Sequence, residues 1–377
     1  MTSSAARLTK AVWNTIGQER AVAVLSRALA QERTAHAYIF AGPPQVGKAT
    51  TALEFAQALN CRGEDPPCHR CRECHLIEEG KHPDVEVVSI GGLCEEAGSD
   101  HKDHAADGSK EIRICQVRRL KRLASRAPYE GRFRVVIIDP ADALNTEAAN
   151  ALLKTLEEPP SSLVLLLITS REESLLPTVR SRCRLVPFSA MPAAAVAKAL
   201  QETWEVPPDD AASLARLSGG RLGWAVTAWE DETFLPAREA ILEDAYRLTA
   251  AGRDERFAYA AQLAQRFSRD REGVFGVLSL WQEWWRDVLL VAVGHPETVT
   301  HIGGLDRLTL IAGKYDIEEV TSLLGVIAQT RDYLSDNVNP LLALEVLMLH
   351  LPVPALRKEK QSPAAAPVGR PQEGPSA

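Results

Sequence analysis

Residues 37–60 read AYIFAGPPQVGKATTALEFAQALN, an apolar run, a glycine-rich turn and a helical segment in direct succession. No other stretch limits the choice of fold so strongly. The run 37–41 is short, apolar and ends at the glycine-rich turn, and reads as a strand. Residues 48–60 place Ala52, Phe55, Ala56 and Leu59 on one face of a helix. Between them, Gly42-Pro43-Pro44-Gln45-Val46-Gly47-Lys48 fits G-x-x-x-x-G-K. In a strand–turn–helix context, such a loop curls its backbone N–H groups around phosphate oxygens. The helix N-terminus and the lysine add positive charge.

The rest of the first half repeats the alternation. Residues 85–88 (VEVV), 134–138 (RVVII) and 163–168 (LVLLLI) read as further strands, with helical stretches at 115–126 and 146–158. Residues 1–188 are therefore expected to form one parallel α/β domain. After Pro187 the strand signal ends. Residues 189–252 give short helical patterns divided by Pro207-Pro208 and Gly219-Gly220, and read as a small helical domain. Residues 253–352 carry longer amphipathic runs at 272–293, 316–334 and 340–350, and read as an all-α domain. Residues 353–377 are rich in Pro, Ala, Gly and charge and are expected to be disordered.

With 377 residues the chain exceeds what one core usually serves. No apolar run approaches the ~20 residues of a membrane span, and the first twenty residues hold no apolar signal core. A cytoplasmic chain with no membrane partner is expected. Lys and Arg number 43 against 50 Asp and Glu, a net charge of −7, which argues against a surface coated for nucleic acid. One local exception is Arg113, Arg118, Arg119, Lys121 and Arg122 on a single expected helix. That helix either tracks a phosphate backbone or is an ordinary solvated face. Trp281, Trp284 and Trp285 share one helix and read as packing or as a subunit interface.

The phosphate loop is incomplete. Its motif calls next for Ser or Thr, whose hydroxyl holds Mg²⁺, and Ala49 stands there. Thr50 comes one residue late, about 100° further round the helix. The strand 134–138 ends at Asp139, which would lie beside the metal, but the neighbouring position that should orient the attacking water is Pro140. Gly42, Gly47, Lys48, Thr50 and Asp139 thus mark a degenerate nucleotide site. Two readings stand on these residues. In one the loop is kept for its turn, with ATP and Mg²⁺ binding weak or absent; in the other it still binds nucleotide.

Seven cysteines occur, and Cys61, Cys68, Cys71 and Cys74 fall within fourteen residues. Without an export signal this favours metal over disulfides. The C-x2-C spacings suit four thiolates around a structural Zn²⁺, with His69 and His75 as alternative ligands, in a module spanning 61–80. Residues 91–110 are polar, Gly-rich and aperiodic. Although they hold Cys94, Asp100, His101, Asp103 and His104, they read as a flexible, solvated loop rather than as a second metal site.

Together the phosphate loop, the four-cysteine module after its helix, the D-x-A-D strand end at 139–142, residues 148–160 (AANALLKTLEEPP) and residues 175–183 (LLPTVRSRC) resemble the AAA+ clamp-loader family of bacterial DNA polymerase III. The resemblance covers residues 13–188 by motif and continues by helical layout to about 351, including Asn337-Val338-Asn339-Pro340. It implies an AAA+ P-loop domain with an inserted zinc module, a helical lid and a helical collar for oligomerisation. The implied partners are the gamma/tau and delta subunits in a heteropentamer, with the sliding clamp and primer–template DNA reached through the complex. Ala49, Pro140 and Gly223, the last standing where ATPase members resemble G-S-L-R, favour the family's non-hydrolysing stator over its ATPase members. The alternative is an active gamma/tau-like ATPase, with Thr50 and Asp142 substituting for the lost groups. Ser181-Arg182-Cys183 is intact, and the resemblance implies that Arg182 acts as an arginine finger in a neighbour's ATP site.

Overall fold

The computed structural model describes residues 13–94, 104, 109–300, 304–336 and 338–352. The expectations for the tail 353–377, for most of the loop 91–110 and for Asn337 lie outside the described residues. The chain divides into two compact units, Met1–Pro236 and Ala237–Ala377.

The first unit is built on a five-stranded parallel sheet. Its strands are β1 (Ala37–Ala41), β2 (Val85–Val88), β3 (Arg134–Ile138), β4 (Leu163–Thr169) and β5 (Arg184–Pro187), in the order β2-β3-β4-β1-β5. Strands β1, β3 and β4 are buried at every position. Successive side chains of a strand point to opposite faces, so each of these strands serves two cores. One face sends Ile39, Val136, Ile138, Leu165 and Leu167 against α4 (Ile114–Ala124) and α5 (Thr146–Glu157). The other sends Tyr38, Phe40, Val135, Ile137 and Leu166 against α1 (Glu19–Ala30), α2 (Lys48–Asn60) and α3 (Arg72–Glu78).

Strand β5 was not foreseen. It lies at the sheet edge beside β1, buries only Val186, and offers just Leu185 and Val186 between Arg184 and Pro187, too short a run to read as a strand. Helix α1 was also missed. The short α6 (Pro177–Arg180) leads into β5.

Helices α7 (Ala193–Trp204), α8 (Pro208–Leu217) and α9 (Leu222–Glu230) complete the first unit. They share a core of Val196, Leu200, Leu214, Trp224 and Ala225. Met191 N–H, just after β5, donates to Gly220 O between α8 and α9, and the buried Gln18 amide ties the phosphate loop to the chain after β5 by donating to Val46 O and Ser189 O.

Helix α10 (Phe234–Ala250), which the sequence reading grouped with residues 189–252, buries Leu242, Ala245 and Leu248 in the core of the second unit. The remaining helices of that unit are α11 (Arg253–Phe267), α12 (Arg271–Ala292), α13 (Leu305–Ala312), α14 (Ile317–Ser335) and α15 (Pro340–Leu349). Trp281, Trp284 and Trp285 are all buried in this core. Tyr259 stacks on Trp281 at 5.8 Å. Packing is thus the observed role of all three tryptophans. Among the described residues no helix is long and apolar enough to cross a membrane.

One buried cation holds two helix ends. Arg256 is 5% exposed. Its guanidinium donates to Leu248 O (2.9 Å) and Thr249 O (3.0 Å) at the end of α10, and to Met348 O (3.2 Å) and Leu351 O (2.9 Å) around the end of α15. The last carbonyls of a helix have no partner within it and carry its negative dipole end, so one planar cation satisfies both termini. Arg256→Ala should strip these carbonyls of their partners and cost about 2–5 kcal/mol. Amide hydrogen exchange should then accelerate across α10 and α15. Unchanged protection there would show that water replaces the guanidinium without loss.

Candidate functional site

The phosphate loop lies where the sequence placed it, between β1 and α2. Gly47 caps α2 in the left-handed region, at φ 96°, and a side chain would be strained there. Lys48 is 6% exposed, and its ammonium donates to Gly42 O (2.6 Å) and Pro43 O (2.5 Å). The lysine therefore closes the loop on itself. Burial pushes its pKa down, and the carboxylates of Asp139 and Asp142 pull it back up. Burial likewise raises the pKa of Asp139, against the pull of Lys48.

A cavity of about 720 Å³ opens beside the loop. Its lining includes Gly47, Lys48, Ala49, Thr50, Asp139 and Pro140, so the predicted residues other than Gly42 converge on one space. Gly42 contributes the carbonyl that holds Lys48. Ala49 brings no hydroxyl, and Pro140 brings neither carboxylate nor N–H to orient a water. Thr50 is exposed and lines the same cavity.

Other residues shape this space and were missed. Thr169, at the end of β4, donates its hydroxyl to Asp142 Oδ1 at 2.9 Å and fixes that carboxylate. Asn14, Thr15, Trp204, Val226 and Thr227 belong to no motif and reach the lining only through the fold.

Gly223 explains its own identity. Its N–H donates to Gln45 O of the phosphate loop at 2.9 Å, and a Cβ built on it would meet that oxygen at 2.9 Å. The first turn of α9 thus rests on the loop backbone. A long side chain at 223 and this contact exclude one another. Arg221, two residues earlier, lies across the Trp224 ring at 5.9 Å and donates to Ser218 O.

Helix α2 leads from this loop into the cysteine module. Cys61 follows its last residue, Cys71 caps α3 with its sulfur facing Cys74 N–H, and the ligand atoms of Cys61, Cys68, Cys71 and Cys74 all lie within 4.8 Å of one another. Four thiolates around Zn²⁺ at ~2.3 Å stand ~3.8 Å apart, so the set fits a closed tetrahedral site. Among the alternative ligands, His69 lies 3.7 Å from Glu54 and His75 lies 4.0 Å from Glu78. Burial pushes the Cys68 thiol up, but N–H groups of Arg70 and Cys71 and the neighbouring thiols outweigh it and bring its pKa to about 6. Burial drives Cys74 the other way.

The module is docked by charge. Arg62 pairs with Glu73 at 3.0 Å and donates to Glu130 O at 3.0 Å, and Arg72 pairs with the Glu130 carboxylate. The turn bearing Glu130 is held by the buried Asp84. Its carboxylate accepts the N–H groups of Tyr129, Glu130 and Gly131 within 2.8 Å, together with the Arg134 guanidinium.

Arg182 lies apart from the cavity, just after α6. Its guanidinium donates to Glu157 Oε1 at 2.8 Å and to Thr178 O at 2.9 Å. The S-R-C arginine and a glutamate of the L-E-E-P-P run, far apart in sequence, thus form one ion pair. On α4, Arg119 pairs with Glu86 of β2, while Arg113, Arg118 and Arg122 are exposed.

Two residues of the stretch 91–110 depart from the solvated reading. Cys94 and His104 are buried at 0% and 1%, and their ligand atoms cluster with that of Cys115 within 4.8 Å. Composition misled here, because two buried side chains in a polar stretch leave no periodic trace.

Comparison with known proteins agrees with this geometry. The profile of the family described as DNA polymerase III, delta subunit, matches residues 17–192. The chain is 28% identical to DNA polymerase III subunit delta' of Bacillus subtilis over 335 residues, 89% of this chain and 96% of that one. It is 37% identical to subunit delta' of Pseudomonas aeruginosa over 192 residues, 49% of this chain and 53% of the relative. Against subunit gamma/tau of Mycobacterium bovis it is 36% identical over 180 residues, 47% of this chain but only 28% of the relative. The 335-residue match and the family profile point the same way, toward the delta' subunits of DNA polymerase III.

Proposed function

We propose that this chain is a non-hydrolysing delta'-type subunit of a clamp loader. It joins gamma/tau and delta subunits in a heteropentamer that places a sliding clamp on primed DNA during replication. In this reading residues 1–188 are an AAA+ domain, 189–236 its lid, and 237–352, which take in α10, the collar through which subunits associate. The observation that carries it is the cavity beside Lys48. It keeps the loop and the buried lysine, but meets them with Ala49, Pro140 and the backbone of Gly223. A site that neither holds Mg²⁺ by a hydroxyl nor orients water has no route to fast phosphoryl transfer. The cavity leaves room for nucleotide as a static ligand. Turning Lys48 from the loop carbonyls to a phosphate would be part of the cost.

The isolated chain should therefore hydrolyse ATP no faster than a Lys48→Ala control, measured as phosphate release. Steady turnover abolished by Lys48→Ala would instead establish the gamma/tau-like alternative, with Thr50 and Asp142 serving as substitutes.

Arg182 is the proposed contribution to catalysis, made in trans. Its guanidinium already spans an acidic oxygen of Glu157, the geometry that suits a phosphoryl oxygen of a neighbour's nucleotide. On docking, the neighbour's phosphate takes the place of Glu157. In the reconstituted complex, Arg182→Ala should leave assembly intact and lower clamp- and DNA-stimulated ATPase, with a loss on the order of 10³ at the one site served. Arg182→Lys should rescue poorly, because a point charge lacks the planar fork. Unchanged ATPase and clamp loading would leave Arg182 a structural partner of Glu157.

The four-cysteine module is proposed to hold a structural zinc that staples it between α2 and α3. Cys71→Ser should lower the zinc content of the purified chain by one equivalent, read by elemental analysis. An unchanged content would remove the metal from this site.

A further inference from the structure

We propose that Cys94, His104 and Cys115 form a second metal site, of the zinc class, on the opposite face of the sheet from the four-cysteine module. The three side chains come from three separate places: the segment after β2, the intervening stretch, and the first turn of α4. They are 0%, 1% and 5% exposed, and their ligand atoms lie within 4.8 Å of one another. His104 Nε2 stands 2.9 Å from Cys115 Sγ.

The carriers of these ligands are well held. Gly92 O accepts His104 N–H at 3.3 Å, and Gly92 N–H returns to Ser89 O at 3.1 Å. The buried Gln116, next to Cys115, donates to the same Ser89 O at 2.9 Å and accepts Arg113 N–H at 2.9 Å. Ile112 bridges to Leu144, with Ile112 N–H on Ala143 O at 2.8 Å. The site therefore rests on the β2 end of the sheet through backbone bonds that precede any metal.

Three arguments favour a metal over a chance cluster. First, the stretch that carries His104 has little apolar content of its own to drive its burial. The sequence from 95 to 110 reads EEAGSDHKDHAADGSK, with only three alanines among its apolar residues. A metal–ligand bond supplies the missing driving force, since metal binding free energy is folding free energy. Second, the charges cancel. Two thiolates and a neutral imidazole balance one divalent ion, so the assembly can stay buried where an isolated charge could not. Third, the donor set selects the ion. Sulfur and imidazole suit Zn²⁺ and reject Mg²⁺ and Ca²⁺, which want oxygen. Bonds of ~2.3 Å to sulfur and ~2.0 Å to nitrogen place those atoms about 3.5 Å apart, so the 2.9 Å contact opens slightly to admit the ion without refolding.

In this position the metal ties the insertion between β2 and α4 to the root of α4, the helix whose exposed face carries Arg118 and Arg122. Three protein ligands leave the fourth tetrahedral position to water or a further donor, and the bound ion would hold the start of that basic helix against the sheet.

The test is metal stoichiometry on the full chain, purified without chelator and equilibrated with zinc. Two equivalents are expected, falling to one in His104→Ala, in Cys115→Ser and in Cys71→Ser alike. One equivalent in the wild type, lost entirely in Cys71→Ser, overturns the proposal, as does a content that His104→Ala leaves unchanged. Should either variant fail to fold, alkylation of the wild type decides. Cys94 and Cys115 should resist modification until chelator is added and then react, as read by peptide mass spectrometry. Indifference of both thiols to chelator, or recovery of a Cys94–Cys115 disulfide, overturns it.

Discussion

Helix α2 is buried at ten of its thirteen residues, and both candidate sites at its ends depend on that burial. Its first residue is the lysine of the phosphate loop, and the residue after its last is the first cysteine of the module. Midway, Glu54 accepts the N–H groups of Asn14 and Thr15 and the Thr15 hydroxyl, and faces His69. Phe55 and Leu59 seat the helix against β1 and β3, with Tyr38 packing edge-on to Phe55 at 5.3 Å. A buried carboxylate held by several donors, in a helix otherwise packed against a sheet, gives the structure one rigid axis. The loop, the N-terminal segment and the cysteine module all take their positions from it.

The sequence made the sheet legible wherever a strand was buried on both faces. The runs at 37–41, 134–138 and 163–168 stood out because nothing polar interrupts them, and the helices at 272–293, 316–334 and 340–350 because their apolar positions recur. At the two sheet edges the outcome differed: β2 shows three valines in VEVV, whereas β5 has only Leu185 and Val186 between Arg184 and Pro187 and escaped. The candidate site was legible as far as its motifs extended: the loop glycines, Lys48, Asp139 and the four cysteines. What closes the cavity was not. Thr169, Trp204 and Val226 are ordinary residues until the chain brings them together. The Arg182–Glu157 pair also lay hidden, because each half belonged to a different motif.

Gly223 shows how two losses at a site can be one structural event. The sequence alone records a missing arginine. The structure adds that the backbone at this position bonds to Gln45 O, so the helix packs onto the loop more closely than a long side chain allows. Lys48, bonded to the loop carbonyls, fits the same picture of a loop that satisfies its own groups. Each contact satisfies a group of the loop from within the chain.

The strand order also dictates a sequence of events during synthesis. β1 lies between β4 and β5, with Ala37 paired to Leu165 and Tyr38 to Arg184, so the earliest strand to leave the ribosome is flanked only after the last has emerged. Until then its two edges have no partner strands, and such long-range parallel pairing is slow. Both cysteine clusters lie within the stretch that separates these partners. The four-cysteine module closes over a short span of chain and needs no distant strand to bring its sulfurs together. Local order can therefore accumulate in the interval, and it shortens the loop of free chain that β1 must wait across before β4 arrives.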